Sequence, residues 1–570
     1  MELRHQARAG LRATFAVLVL ALAAPAWASA SQLVQPPSPD RPPRFFHLSA
    51  AAAIRVADRA SKVRAERRKH PGIRPTAYEN GIGRWQVSYF LRGKERVQVQ
   101  VDDRSGTVVE QWRGPQVAWI MARGYPGAFG RKLNAPYVWI PLCALFVIPF
   151  VDPRRPLRLL HLDLLALLAF GVSHVFFNQG EIGISVPLVY PVLGYLLARA
   201  LFAGFRPRAP GRGRLVPLVP AAWLLVAAVF LVGFRIGLNV LDSNVIDVGY
   251  SGVIGADRIT HDRPLYSPRF AGDNEHGDTY GPVNYLAYVP FEQAMPWSGR
   301  WDDLPAAHGA AIAFDLLTML GLYLLGRRMR AGPEGRALGA ALLYAWASYP
   351  YTAFALETNS NDALVSAFVV AALLAVTLRR QRPALSALGS GLAVGLGAAA
   401  KFAPLALAPL LATAGERPRL RLAALFALAV VGAVVLTVLP FVPHGGLREL
   451  YDRTLGYQLG RPSPFSVFGQ APSLGWLHTV VKAAAVGLAL LVAAVPRRKD
   501  LRQVAALAAG VLIAVELTAS HWFYLYVVWF TPPLLVAVLA AYRQPIAGPR
   551  PVERPPRWAA LTRPGSRVAR

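Results

Sequence analysis

From Pro136 onward, apolar runs of about 13–22 residues alternate with polar loops, most of them short. A helix needs about 20 apolar residues to cross a bilayer. The runs at 137–151, 159–177, 184–204, 215–236, 305–326, 337–353, 362–378, 384–400, 402–414, 420–441, 474–495, 503–520 and 522–541 therefore predict about 13 membrane spans. The stretch 384–414 fits either two short spans or one re-entrant hairpin. Upstream the pattern changes. AAAIRVADRASKVRAERRK has apolar residues at helical spacing, and WQVSYFL and RVQVQVDD alternate as half-buried strands do. DDRSGTVVEQW adds a turn and a third strand. This predicts a small α+β domain over 47–130, behind a Pro-rich linker at 31–46. Residues 1–30 have the basic start, apolar run and small residues (Ala26, Ala28, Ala30) of a secretory signal, with an uncleaved anchor as the alternative.

Charge sharpens this layout. The chain has 570 residues, is 54% hydrophobic and 16% charged, and carries a formal net charge of +29. Such a surplus would suit a nucleic-acid binder if it lay along one face. Instead it sits in alternate loops: DPRRPLR, RPRAPGRGR, RRMRAGPEGR, RRQRP, GERPRLR and PRRKDLR each hold three or four Lys or Arg, and 543–570 is a basic tail. This is the positive-inside pattern. It predicts a multi-pass protein of a bacterial-type plasma membrane with a cytoplasmic C-terminus, an extracytoplasmic N-terminal domain, and no nucleic-acid partner. The single cysteine, Cys143, excludes an intrachain disulfide and a cysteine metal cluster. There is no Walker-type loop and no HExxH or EF-hand motif; DNEHGD at 273–278 reads first as a solvated loop, and no metal site is assigned.

Candidate chemistry collects in the opposite, weakly basic loops. The longest, 237–304, holds Asp242, Asp247, Tyr250, Tyr266, Tyr280 and Tyr285; weaker acids, Asp257 and Asp262, lie further along it. Asn359, Asn361 and Asp362 follow in ETNSNDAL, Lys401 in KFAPLALAP, Gln458 and Arg461 in YQLGRPSPFS, and His521 in HWFYLYVVWF. Ionisable groups at a membrane boundary are costly and suggest a site. Each also has a plain alternative: Asn361 or Asp362 as a helix cap, Lys401 as a snorkelling lysine, His521 as one polar member of an aromatic belt.

In order along the chain, IDVGYSG with RPLY, TYGPVNYLAYVPF, ETNSNDAL, KFAPLALAP, YQLGRPSPFS and HWFYLYVVWF resemble GT-C class membrane glycosyltransferases, most nearly glycosyltransferase family 87, over roughly 215–541. The 47–130 segment resembles a PepSY domain through its D-x-x-[ST]-G-x-[VL] ending. The first resemblance implies a GT-C-like fold and an inverting hexosyltransferase. Its donor would be a polyprenyl-phosphate sugar carrying mannose or another hexose, its acceptor an extracytoplasmic lipid or glycan, and no cofactor would be needed. A phosphate leaving group needs cations rather than an acid, whereas the acceptor hydroxyl needs a base. Asp247 is the expected base and Asp242 the second candidate; Lys401, Arg461 and His521 are the expected phosphate contacts. Tyr250, Tyr280, Asn359, Asn361 and Gln458 are the expected sugar contacts. A membrane transporter or lipid flippase is the alternative.

Overall fold

The computed structural model describes residues 33–541, apart from 82, 126–128, 207–218, 268–269, 271–273, 275, 302, 416–418 and 462. The signal-type segment at 1–30 and the basic tail at 543–570 lie outside the described residues.

The N-terminal unit is a five-stranded antiparallel meander: β1 (Leu33–Val34), β2 (Arg74–Asn80), β3 (Arg84–Leu91), β4 (Lys94–Asp102) and β5 (Thr107–Arg113) pair in chain order. Alternation puts Trp85, Val87 and Tyr89 of β3 and Val97, Val99 and Val101 of β4 in one core, all fully buried. Two helices, Ala50–Asp58 and Ser61–Lys69, cover that face with Ala53, Ala57 and Val63. The sequence predicted one continuous helix here. It breaks because Ala60 is extended (φ −63°, ψ 139°), which lets the second helix follow the sheet as it twists. Asp103 ties the entry loop to the sheet, accepting hydrogen bonds from the His47 and Leu48 amides and the Trp85 indole.

The rest is helical. The described residues of each predicted apolar run fall largely in helices, the start of the 215–236 run lying outside the described residues. Among the described residues, seven helices are long and apolar enough to cross a membrane: Leu159–Asn178, Ile182–Phe205, Ala221–Asp242, Pro305–Met329, Pro383–Ala400, Leu420–Phe441 and Pro472–Ala494. Pro136–Phe150, Asp362–Val376, Ala403–Ala412 and Tyr524–Leu539 are apolar but shorter. Gly332–Ser348 and Leu501–Leu517 have 17 residues each.

Helix Ala221–Asp242 runs past the predicted end at 236, so Asp242 closes a helix rather than starting a loop. Asn239, beyond the predicted end of the span, bonds within the bundle and donates to the Leu356 carbonyl at 2.8 Å. Arg235 is 1% exposed, pairs with Asp315 of helix Pro305–Met329 at 2.6 Å, and donates to the Ala347 and Thr352 carbonyls. Those carbonyls border the break between helices Gly332–Ser348 and Pro350–Glu357, so one guanidinium satisfies backbone that lipid could not. Trp346 donates to the same Asp315 oxygen at 2.8 Å.

Removing one partner of a buried pair strands the other charge. Arg235→Ala should therefore cost about 3–5 kcal/mol of stability, whereas Arg235→Met with Asp315→Leu should lie closer to wild type. Thermal unfolding in detergent checks both. Equal losses in the single and double variants would argue against a structural ion pair.

Candidate active site

One turn places the leading carboxylate. Asn359, fully buried with φ +50°, donates its side-chain amide to the Ser243 hydroxyl (2.9 Å) and the Asn244 carbonyl (3.1 Å), and accepts from Asn239 (2.9 Å). The Asn244 and Ile246 amides donate to the Glu357 and Thr358 carbonyls. Helix Asp247–Thr260 starts directly after this knot, with Asp247 in its first turn, where a carboxylate suits the helix dipole. Gly249 makes the approach possible, since a Cβ there would lie 2.3 Å from the Asn359 carbonyl oxygen. Asn359 is thus a positioning residue, not the sugar contact predicted for it.

Asp247 is surface-accessible, yet protein crowds it closely. Both hold for a side chain on the floor of an open recess. Desolvation there raises its carboxyl above the ordinary range; Arg461 and then Lys401 oppose the rise, and Asp362 adds to it. The same groups recur around Tyr280, whose phenol is pushed up chiefly by desolvation and then by Asp247. The fold therefore gathers Asp247, Tyr280, Asp362, Lys401 and Arg461 from four separate loops. Gly281 brings the Tyr280 segment in: its amide donates to the Ala400 carbonyl, and a Cβ there would lie 2.0 Å from the Ala399 oxygen.

Lys401 differs most from its expected role. Its ammonium pairs with Asp362 at 2.6 Å and stands over the rings of Tyr280 (5.5 Å), Tyr526 (5.8 Å) and Trp529 (5.3 Å). The Trp529 indole donates to the same Asp362 oxygen at 2.8 Å. Asp362 is therefore a counter-charge, and neither it nor Asn361 caps its helix through a side chain. Asn361 bonds Asn284 instead. Arg461, half-buried, has no ion-pair partner among the described residues, so it is the cation available to a ligand.

His521 bonds the Ser463 hydroxyl through Nδ1 at 2.8 Å and lies 5.2 Å from the Phe465 ring. Burial and then Arg461 lower its pKa to about 3, so the ring is neutral at physiological pH and cannot add positive charge. Gln458 donates to the Thr279 hydroxyl at 2.8 Å, next to Tyr280. Two candidates stand elsewhere. Asp242 accepts from the Lys132 amide (3.1 Å), with the Lys132 ammonium 3.7 Å away. Tyr250 is 7% exposed and packs against Trp297. Tyr285 is fully buried and clamps its own loop through the Gly277 carbonyl.

The segment joining the N-terminal domain to the bundle reaches the same loops. Trp119 packs edge-on against Phe465 at 5.0 Å, and Phe129 lies 6.4 Å from Phe523. The aromatic partners of Lys401, the Ser463–His521 bond and this contact were missed from sequence. No local signal marks them, because the partners lie far apart along the chain, 58 positions in the case of Ser463 and His521.

Residues 279–520, less than half of the chain, match the profile of glycosyltransferase family 87. The matched stretch contains Tyr280, Asp362, Lys401 and Arg461; Asp247 precedes it and His521 follows it directly. No curated protein matches the chain. The similarity and the apolar helices support a multi-pass membrane protein with a glycosyl-transfer function.

The Asp362–Lys401 contact is testable as a pair. Asp362→Asn and Lys401→Met should each destabilise, and the double variant should lose less than their sum, with a coupling of about 2 kcal/mol. Thermal unfolding of the four proteins measures it. Additive losses would mean the two charges do not depend on each other.

Proposed function

We propose that this protein is an inverting membrane glycosyltransferase that moves a hexose from a polyprenyl-phosphate carrier to an extracytoplasmic hydroxyl acceptor. The observation that carries this reading is the pairing of functions at the recess: an accessible carboxylate with raised proton affinity, Asp247, stands in the field of Arg461, an arginine with no ion-pair partner among the described residues. The acceptor oxygen attacks the anomeric carbon, and the bond from that carbon to the phosphate oxygen breaks. Asp247 takes the acceptor proton as the hydroxyl gains acidity in the transition state. The donor phosphodiester leaves as a monoester with one more negative charge, which Arg461 meets through charge-assisted hydrogen bonds.

The two groups are linked. Arg461 holds the Asp247 carboxyl down in the resting protein. A bound phosphate draws the guanidinium to itself, which raises the proton affinity of Asp247 further and makes it a stronger base when the donor is present. His521, neutral, contributes hydrogen bonding and shape. Lys401, its charge met by Asp362, holds the walls of the recess together.

Transfer of labelled mannose from polyprenyl-phosphate-mannose into a lipid fraction tests the reading. Asp247→Asn should lose at least about 10²-fold in rate, and near-wild-type transfer by that variant would remove Asp247 as the base. Arg461→Ala should lose more than Arg461→Lys, because lysine keeps the charge but not the fork.

The base works ionised, so activity falls as pH drops through its folded-state pKa. That pKa is raised, so the acid limb should lie above the ordinary carboxylate value of about 4. A limb at or below that value would contradict the recess environment described for Asp247.

A further inference from the structure

A second cavity, of about 430 Å³, opens beside the recess between the 276–278 segment and the helical stretch 445–457. We infer that it is the acceptor subsite, and that it takes an uncharged sugar ring; the inference rests on the transferase reading above.

Its position comes first. One segment forms a wall of both sites. Asn274 donates to the Asp247 carbonyl (3.2 Å) and the Ser251 hydroxyl (2.8 Å). His276 and Asp278 then line the cavity, and Tyr280 faces the recess, where it lies within the field of Asp247. The opposite wall is shared too: Tyr457 lines the cavity, the adjoining Gln458 bonds Thr279, and Arg461 follows one turn on. The cavity therefore shares both of these segments with the residues around Asp247.

The wall is built, not loosely packed. Asp278, its side chain 3% exposed, pairs with Arg453 at 3.0 Å, and Arg453 pairs with Glu449 at 2.8 Å. These bonds fix the stretch 446–460, which changes from α-helix to a π-helical turn at Asp452–Gly456. Such turns re-aim side chains and are frequent at functional sites.

The lining points to the ligand class. Arg453, Glu449 and Asp278 satisfy one another, which leaves Arg448 and Asp452 as exposed charged groups with no ion-pair partner among the described residues. Arg448 and Asp452 are four residues apart on the helical stretch, so a donor and an acceptor face the cavity together. Beside them the Tyr457 ring stacks with His276 at 4.4 Å and presents an aromatic surface. An aromatic face with hydrogen-bonding groups of both kinds suits a sugar ring, which has an apolar face and hydroxyls around its rim. Charge weighs against the donor phosphate at this position. Two guanidinium groups stand against three carboxylates, so the lining is net negative and opposes an anion. The volume is of the size of one or two hexose rings.

The test is binding without turnover. The full-length protein in nanodiscs is titrated with methyl hexopyranosides (gluco, manno, galacto) and with inorganic phosphate, and contact is read by saturation-transfer NMR. Expected is a signal from at least one glycoside, weakened at least tenfold in Tyr457→Ala and in Asp452→Ala, with no competition from phosphate. Asp452 is exposed, so its variant reports even if Tyr457→Ala fails to fold. Unchanged glycoside signals in folded Asp452→Ala, no signal from any glycoside, or displacement by phosphate would each overturn the inference. In a transfer assay, the same variants should raise the acceptor KM. Glycoside binding in a protein that transfers no sugar would sink the transferase reading and with it the acceptor role, leaving a sugar-binding cavity.

Discussion

The contact between Lys401 and Asp362 holds the recess together. A lysine at the end of one apolar helix and an aspartate at the start of another would each be costly beside a membrane. Bonded at 2.6 Å, with the Trp529 indole on the same oxygen, they join three separate helical segments at one point. Three aromatic rings then close around the ammonium. The Tyr280 segment enters against Ala399 and Ala400, immediately before Lys401, so the wall of the recess follows from this one pair. A lysine so engaged has its charge met within the protein, which is why the proposed phosphate contact is Arg461 instead.

A second constraint acts from outside the bundle. The segment after the N-terminal domain rests Trp119 on Phe465, and Phe465 packs on His521. Gln116 donates to the Asn178 carbonyl, and Arg123 reaches back to Gln98 of the sheet. The sheet, the connecting segment and the loop of Arg461 and His521 therefore form one run of packed groups.

Much of the candidate site could be read from the chain because its charges stand out against an apolar background. Asp247, Lys401, Arg461 and His521 each interrupt or border an apolar run, and all four lie near the recess or its flanking loop. Their roles were less legible. Lys401 had no acid near it in sequence, yet Asp362 neutralises it. Asn359 looked like a sugar contact and proved to hold the turn before Asp247. Asp242 looked like a loop acid and closes a helix against Lys132. In each case the partner lies far along the chain, and spacing carries no information about it.

The amino-acid sequence by itself determined what each segment had to be. Long apolar runs must form helices in lipid, alternating residues at 84–102 must form strands with one buried face, and the spacing of the basic loops predicts one side for them. These are local demands of solvent and backbone, met whatever the rest of the chain does. Tertiary structure alone decided which charges are spent and which are free. Arg235, Lys401 and Arg453 meet carboxylates on distant segments, whereas Arg461 meets none among the described residues. An arginine and its counter-ion attract over a few ångströms, and only the folded chain sets that distance.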